Sequence, residues 1–222
     1  MMIFATDLDR TLIYSNRALE EFGAPEKNML LPVEKKDEKW ASYMTKASFD
    51  LLKEIRNRFL FIPVTTRTTE QFRQIHIFQQ DIPVTYAITS NGGHILYKGE
   101  ELEEWTDILS AKLQNETASI KEMQFYLQRE SFCFDGVLKQ AEELFFYFIL
   151  SSHPSGPMIR KIAEEVAKLG WRISLQGRKL YFIPKVINKG DALEYIRKRE
   201  GITQMAGAGD SNLDWDFLKN CQ

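Results

Sequence analysis

Two carboxylates follow the first apolar run of the chain and are separated by a single residue. The run covers residues 2–5, and Asp7 and Asp9 come directly after it. Residues two apart in a strand share a face, so we expect both carboxylates on one side of the strand end. Burying such charges is costly unless a cation offsets them, and ligands of open α/β sheets bind at the carboxyl ends of the strands. The pair therefore indicates a metal-and-phosphate site with a carboxylate nucleophile.

Three further groups of polar residues stand at or just beyond the ends of predicted strands. They are Thr65-Thr66-Arg67 after the apolar run 60–64, Lys189 at the start of a predicted helix, and Asp210 with Asp214 after the predicted strand 202–206. Taken singly, each group has an ordinary structural explanation, such as strand-end hydrogen bonding, a surface lysine or a helix cap. Their shared placement at strand ends favours one common site.

Phosphoryl transfer to a carboxylate requires this set of groups. Asp7 would attack phosphorus and Asp9 would protonate the leaving oxygen. Thr65 would donate its hydroxyl to the phosphate oxygens, and Lys189 would supply a fixed positive charge. Asp7 and Asp210 offer the oxygen ligands that a hard divalent metal prefers. We therefore expect Mg²⁺ as the cofactor and a small phosphorylated molecule as the substrate.

Strand and helix patterns alternate along much of the chain. Short apolar runs predict strands, and they cover residues 3–6, 60–64, 86–89 and 202–206. Helical patterns lie between or after them, at residues 40–58, 69–80, 189–199 and 212–219. This alternation predicts an α/β fold with a Rossmann-like parallel sheet and right-handed crossovers.

The middle of the chain breaks this alternation. It predicts two polar helices within 106–129, strands at 131–134 and 144–150, a helix at 158–169, and a hairpin formed by 171–175 and 179–183. We therefore expect a core formed by residues 1–93 and 186–222, with an α+β subdomain inserted at 94–185. Residues 14–40 are longer than a usual strand–helix connection, and we expect an ordered excursion near the first carboxylates.

Composition excludes several partners. The formal net charge is −2, from 29 basic and 31 acidic residues, so no surface for nucleic acid is expected. The longest apolar run, residues 144–150, is too short to span a bilayer, so no membrane partner is expected. The two cysteines, Cys133 and Cys221, are far apart and have no metal-ligand spacing, which favours a reduced, cytoplasmic setting.

The order of these motifs resembles that of the haloacid-dehalogenase (HAD) superfamily phosphatases. The stretch Thr65-Thr66-Arg67, followed by Ser90-Asn91-Gly92-Gly93 after the next predicted strand, resembles the Cof-type branch. That branch carries a large α/β cap of the C2 type between its second and third motifs. The inserted segment 94–185 falls at this position, so the resemblance implies that it is a cap.

The resemblance also implies roles for individual residues. Asp7 would form an aspartyl-phosphate, and Asp9 would protonate the leaving group and later activate water. Mg²⁺ would be held by Asp7, Asp210 and the backbone carbonyl of Asp9, while Asp214 would support the metal shell or orient Lys189. Four residues would contact the substrate, namely Thr66, Arg67, Asn91 and Gly92.

The function expected from these residues is a Mg²⁺-dependent phosphomonoester hydrolase, with sugar phosphates among the candidate substrates. A phosphomutase of the same fold is an alternative, because it would use the same aspartyl-phosphate. A catalytically silent regulatory or binding module is a second alternative, but the complete set of acidic and basic residues argues against it. A nucleotide-sugar transferase would use the Asp7–Asp9 pair for metal, yet it would leave Lys189 and Asp210 unexplained.

Overall fold

The chain divides into two compact units in the computed structural model, which describes residues 1–23, 25–36, 38–130 and 132–221. The first unit comprises Met1–Leu102 and Lys189–Gln222, and the second comprises Glu103–Asn188. This division differs from the boundaries expected from the sequence, at 93/94 and 185/186. The first boundary comes later because His94–Tyr97 pairs with Tyr86–Thr89 in the first unit.

The second boundary also comes later than expected. The backbone N–H of Lys185 donates to Gly170 at 2.8 Å, and Arg172 donates to the carbonyl of Ile187 at 3.2 Å. These hydrogen bonds tie residues 185–187 to the second unit. The interpretation of that unit as a cap stays a prediction.

The elements of the first unit lie on both sides of the second unit in sequence. Its first part contains β1 (Met2–Thr6), β2 (Tyr14–Ser15), α1 (Asn16–Phe22), β3 (Leu30–Lys36), β4 (Lys39–Thr45), α2 (Lys46–Arg58), β5 (Leu60–Pro63), α3 (Thr69–Arg73), β6 (Tyr86–Thr89), β7 (His94–Tyr97) and β8 (Glu100–Glu101). The second unit contains α4 (Glu103–Glu116), α5 (Ile120–Arg129), β9 (Gly136–Ala141), β10 (Phe145–Leu150), α6 (Gly156–Ala167), β11 (Trp171–Gln176) and β12 (Lys179–Pro184). The chain then returns to the first unit through α7 (Lys189–Arg199), β13 (Gln204–Ala208) and α8 (Trp215–Leu218).

A parallel sheet lies at the centre of the first unit, in the strand order β13-β1-β5. A parallel β-bridge between Val64, just after β5, and Ile88 in β6 shows that β6 runs in the same direction as these strands. Side chains such as Ile3, Ala5 and Ile62 are fully buried, as expected for strands covered on both faces. The predicted α/β fold with a parallel sheet is confirmed. Its carboxyl edge places the residues that follow β1, β5 and β13 next to one another.

The described part of the excursion after β1 is ordered and forms a second, antiparallel sheet in the order β2-β4-β3. The helix predicted from residue 40 is wrong in its first part, because β4 occupies Lys39–Thr45 and α2 begins only at Lys46. The apolar residues at helical spacing are Phe49, Leu52, Ile55 and Phe59, so this pattern never required a start at residue 40. Thr45 marks the start by accepting a hydrogen bond from the backbone of Ser48 at 3.1 Å.

Other element boundaries shift by a few residues. The helix predicted for residues 69–80 is a short α3 followed by a single 3₁₀ turn, and a capping box formed by Thr68 and Gln71 begins α3. The helix predicted for 212–219 is reduced to α8, and the last strand lies at 204–208 instead of 202–206.

The second unit contains a four-stranded antiparallel sheet in the order β11-β12-β10-β9. Helices α5 and α6 contribute buried residues to its core, which contains Met123, Leu127, Phe146, Leu150, Ile162, Val166, Trp171, Leu180 and Phe182. The predicted hairpin is present as β11 and β12. The strand predicted at 131–134 is not: Ser131 lies outside the described residues, and β9 begins only at Gly136. No helix in the described part of the chain is both long and apolar enough to cross a membrane.

Candidate active site

A buried lysine joins two carboxylates at the carboxyl edge of the parallel sheet. Lys189 begins α7, and its Nζ donates to Oδ1 of Asp7 at 2.6 Å and to Oδ1 of Asp214 at 2.5 Å. All three side chains are almost completely buried, with exposed fractions of 1%, 8% and 0% for Lys189, Asp7 and Asp214. A lone buried charge would be prohibitively costly, so each member requires the others. The structure therefore brings together residues that are 182 positions apart in sequence.

Asp214 is held by the loop that precedes it. Its Oδ2 accepts hydrogen bonds from the backbone of Asp210 at 3.1 Å and from the backbone and hydroxyl of Ser211, both at 2.8 Å. Gly209 permits this arrangement, because a Cβ at that position would lie 2.4 Å from the Cβ of Asp214. Both Asp214 oxygens are thus engaged, Oδ1 by Lys189 and Oδ2 by the loop.

Three carboxylates converge near the end of β1. One oxygen each of Asp7, Asp210 and Asp214 lies within 4.8 Å of the others, with Asp210 on the exposed side. Burial and the charge of Asp214 raise the pKa of Asp210. A cluster of hard oxygen donors of this kind suits a divalent cation such as Mg²⁺.

Burial dominates the electrostatics of the nucleophile candidate. It raises the pKa of Asp7 to about 6; the charge of Lys189 opposes the rise and the charge of Asp214 adds to it. Burial by itself lowers the pKa of Lys189, but the two carboxylates raise it by more, so the pKa lies above the usual lysine value. Lys189 is therefore a permanent cation at neutral pH, whereas Asp7 holds its charge weakly when no metal is bound.

The loops after β5 and β6 support each other. The backbone of Asn91 donates to the carbonyl of Thr65 at 2.9 Å, and that of Ser90 donates to the carbonyl of Arg67 at 2.7 Å. Thr65 is buried, and its hydroxyl accepts from the backbone of Arg67 at 3.1 Å. Ser90 and Asn91 adopt positive φ angles of 50° and 60°, which is strained for residues other than glycine. The two backbone hydrogen bonds give the Thr65 loop a fixed scaffold.

The expected substrate contacts of the four loop residues stay predictions. Asn91 and Gly92 are buried behind the Thr65 loop, where Asn91 supports its backbone. Thr66 is half-buried next to Thr65. Arg67 is already engaged by two carboxylates, which suits a positioning residue better than a substrate ligand.

Asp9 does not join the three-carboxylate cluster and instead binds Arg67. Nε and Nη2 of Arg67 donate to Oδ2 and Oδ1 of Asp9, both at 2.8 Å, in a two-point contact. The Asp9 side chain keeps 48% of its surface exposed, so it stays accessible to a ligand. The two carboxylates after β1 therefore have separate partners, Lys189 for Asp7 and Arg67 for Asp9.

Glu34 is the residue of this network that sequence reasoning missed. It lies in β3 of the excursion, and its Oε1 is 2.8 Å from Nη1 of Arg67. Its sequence context, Val33-Glu34-Lys35-Lys36, is typical of a solvated strand end and carries no functional signal. Only the pairing of β3 with its neighbours places it at the site.

Comparisons with known proteins address the fold. No protein-family model matches the sequence, and no curated protein matches it significantly. Among solved structures, the sucrose-phosphatase of Synechocystis, determined with sucrose and phosphate, matches with a TM-score of 0.65 and 14% identity, covering 100% of this chain and 84% of that one. A HAD-superfamily phosphatase from Bacteroides thetaiotaomicron matches with a TM-score of 0.57 and 11% identity, covering 100% and 81%. A trehalose-6-phosphate phosphatase related protein matches with a TM-score of 0.52 and 16% identity, covering 99% and 82%.

These likenesses define the class of fold. The chain has the fold of the HAD-superfamily phosphatases, with an α/β unit inserted between β8 and α7. The resemblance first drawn from the motifs is thus confirmed at the level of the fold. Activity and substrate rest on the residues of the site, because identities this low establish the fold alone.

Proposed function

We propose that this protein is a Mg²⁺-dependent phosphomonoester hydrolase that acts on a small phosphorylated metabolite through an aspartyl-phosphate at Asp7. The observation that carries the proposal is the buried Asp7–Lys189–Asp214 arrangement at the carboxyl edge of the parallel sheet. A fold needs no buried lysine between two carboxylates for stability, since apolar residues of similar volume often serve as well or better. A reaction on a phosphate dianion does need a fixed cation beside its nucleophile.

In the first half of the reaction, an oxygen of Asp7 attacks phosphorus and the bond from phosphorus to the ester oxygen breaks. Lys189 neutralises part of the charge on the phosphate oxygens, and the Thr65 hydroxyl donates to one of them. Asp9 gives its proton to the leaving oxygen. Arg67 donates to both oxygens of Asp9, and 48% of the Asp9 side chain stays exposed for contact with the leaving group.

In the second half, Asp9 acts as the base. It removes a proton from a water molecule, the water oxygen attacks phosphorus, and the bond to Asp7 breaks. Inorganic phosphate leaves, and Asp7 is a free carboxylate again while Asp9 has regained its proton. A phosphomutase would instead transfer the phosphoryl group to a second hydroxyl of the substrate.

The acidic groups of the site fit a divalent cation. Asp7 and Asp210 would hold Mg²⁺ together with the backbone carbonyl of Asp9, and Asp214 would orient Lys189, because both of its oxygens are engaged. When bound, the cation supplies charge neutralisation for the phosphoryl group and the nucleophile. It would also favour the ionised form of Asp7, whose pKa burial raises to about 6.

Sugar phosphates are the first substrates to test. Two structural neighbours are a sucrose-phosphatase and a trehalose-6-phosphate phosphatase related protein. The decisive experiment is a phosphate-release screen of metabolite phosphates, run with Mg²⁺ and with excess EDTA. Release of inorganic phosphate supports the hydrolase, whereas an isomerised phosphate ester without release supports the mutase. If neither product forms with any ester, an enzyme of this type is excluded.

A further inference from the structure

The Arg67 guanidinium lies between two carboxylates from distant parts of the chain. Nε and Nη2 donate to Asp9, and Nη1 lies 2.8 Å from Oε1 of Glu34. All three nitrogens therefore have a carboxylate acceptor, and the Arg67 side chain is only 13% exposed. A guanidinium bound on both sides cannot turn without losing a contact, so Glu34 helps to fix the plane in which Arg67 meets Asp9.

An irregular strand turns Glu34 towards this contact. Neighbouring residues of a regular strand point to opposite faces, yet Val33 and Glu34 are both buried. The pairing of β3 with β4 shifts register on each side of Glu34, between Pro32 and Glu34 and between Glu34 and Lys35. Bulges of this kind redirect a side chain and are common beside active sites.

The second oxygen of Glu34 is also engaged. Ser42, its register partner in β4, donates its hydroxyl to Oε2 at 2.5 Å. The carboxylate is therefore held from both ends, by Ser42 on one side and by Arg67 on the other. Such a carboxylate is a rigid support for the guanidinium.

Fold stability alone does not account for the burial of Glu34 and Arg67. Burying Glu34 and Arg67 removes two charges from water, and pairs of this kind are often no more stable than apolar residues of similar volume. The half-exposed member of the network is Asp9, the expected proton donor. The network thus connects β3 to Asp9, the carboxylate that must face a leaving group.

We propose that Glu34 is a positioning residue for Asp9, acting through Arg67. It keeps the guanidinium in the orientation that presents the Asp9 carboxyl group to the leaving oxygen. The excursion between β1 and α2 is then part of the catalytic machinery. This assignment rests on the proposed phosphatase function and adds to it a residue outside the four motifs.

The test compares leaving groups in the full chain with Mg²⁺ present. Proton donation matters for alkyl esters and little for 4-nitrophenyl phosphate, whose leaving group departs without a proton. Glu34→Gln should lower kcat/KM for the best alkyl phosphate of the screen by roughly 10- to 100-fold, with little change in kcat/KM for 4-nitrophenyl phosphate. The comparison uses kcat/KM because this constant ends with departure of the leaving group, whereas kcat also includes hydrolysis of the aspartyl-phosphate, in which Asp9 is the base for both esters. Arg67→Lys, which cannot form the two-point contact, should show the same selective loss. Glu38→Gln is the matched control, because Glu38 belongs to an exposed pair with Lys35 in the same segment.

A double variant separates positioning from general support of the fold. If Glu34 acts through Asp9, Glu34→Gln should cost nothing further in an Asp9→Asn background. Equal losses of kcat/KM on both esters, a further loss in that background, or no loss at all would each overturn the assignment. If Glu34→Gln does not fold, Arg67→Lys is judged by the same comparisons. A wild-type chain that releases phosphate from neither ester would refute the proposed function, and the positioning role with it.

Discussion

Lys189 and Asp7 form a buried ion pair with 2.6 Å between Nζ and Oδ1, although the two residues are 182 positions apart. The pair joins the end of β1 to the first residue of α7. In sequence, β1 precedes the inserted unit and α7 follows it. The ion pair places one oxygen of Asp7 in direct contact with a buried cation. The first expectation therefore concerns this residue.

Replacing Asp7 with Asn should abolish turnover while the fold persists. The amide keeps the shape of the side chain but can neither attack phosphorus nor hold a metal charge. We expect a loss of roughly 10³-fold or more in kcat. Asp50→Asn on the exposed face of α2 is the control and should retain full activity. A folded Asp7→Asn protein with near-native phosphate release would overturn the mechanism; circular dichroism and a phosphate assay are the measurements.

Replacing Asp9 with Asn should depend on the leaving group. The amide carries no transferable proton, so alkyl esters should lose roughly 10²-fold or more in kcat/KM, and 4-nitrophenyl phosphate much less. The ratio of the two kcat/KM values is measured for the wild-type and variant proteins side by side, because kcat also contains the hydrolysis step in which Asp9 is the base for either ester. An unchanged ratio would assign Asp9 a structural role only.

Metal removal tests the acidic cluster. Excess EDTA should stop phosphate release and Mg²⁺ should restore it. Asp210→Asn should weaken Mg²⁺ binding roughly 10-fold or more in calorimetry, because Asp210 supplies one of the converging oxygens. Asp81→Asn, at an exposed position, should bind Mg²⁺ as the wild type does. Full turnover in EDTA would refute the metal assignment.

Most of the site was predictable because its signals are local in sequence. Asp7, Thr65 and Asp210 each follow a short apolar run, and such a run predicts a strand end whatever the rest of the chain does. The parallel sheet then brings those ends together. The roles assigned to these residues stay predictions, but their proximity follows from the topology.

The rest depended on pairing between distant segments, which the sequence does not display. Glu34 reads as a solvated strand residue, and only the bulge in the pairing of β3 with β4 buries it. The sequence pattern placed residues 40–45 in the first part of a predicted helix. They pair with β3 instead, because that pairing covers the apolar side chains of Val33 and Met44. Tertiary contacts override local propensity in both cases.

The metal-free protein should lose stability as the pH rises from about 4 to about 6. The pKa of Asp7 is raised from 3.8 to about 6 by burial, so the unfolded state loses this proton at lower pH than the folded state. The contribution of Asp7 is thus complete below pH 4 and is lost as the pH passes 6. Loss of this contribution lowers the free energy of unfolding by on the order of 1–3 kcal/mol.

The difference in Tm between wild type and Asp7→Asn, measured against pH in EDTA, isolates this effect. Wild type should lose Tm relative to the variant between pH 4 and 6, and saturating Mg²⁺ should remove the trend because it binds the ionised carboxylate. A difference that stays constant from pH 4 to 7 would contradict the raised pKa.

Removing the charge of Lys189 should destabilise the chain far more than removing a surface charge. Lys189→Met leaves Asp7 and Asp214 buried without their cation, so we expect the free energy of unfolding to fall by about 3–5 kcal/mol in metal-free urea denaturation. Lys198→Met in the same helix removes only an exposed contact with Glu194 and should cost less than about 1 kcal/mol. Because the cost of Lys189→Met comes from two unpaired carboxylates, adding Asp7→Asn should restore part of the lost stability. Equal effects of the two lysine variants would show that Lys189 does not hold the buried carboxylates in the folded protein.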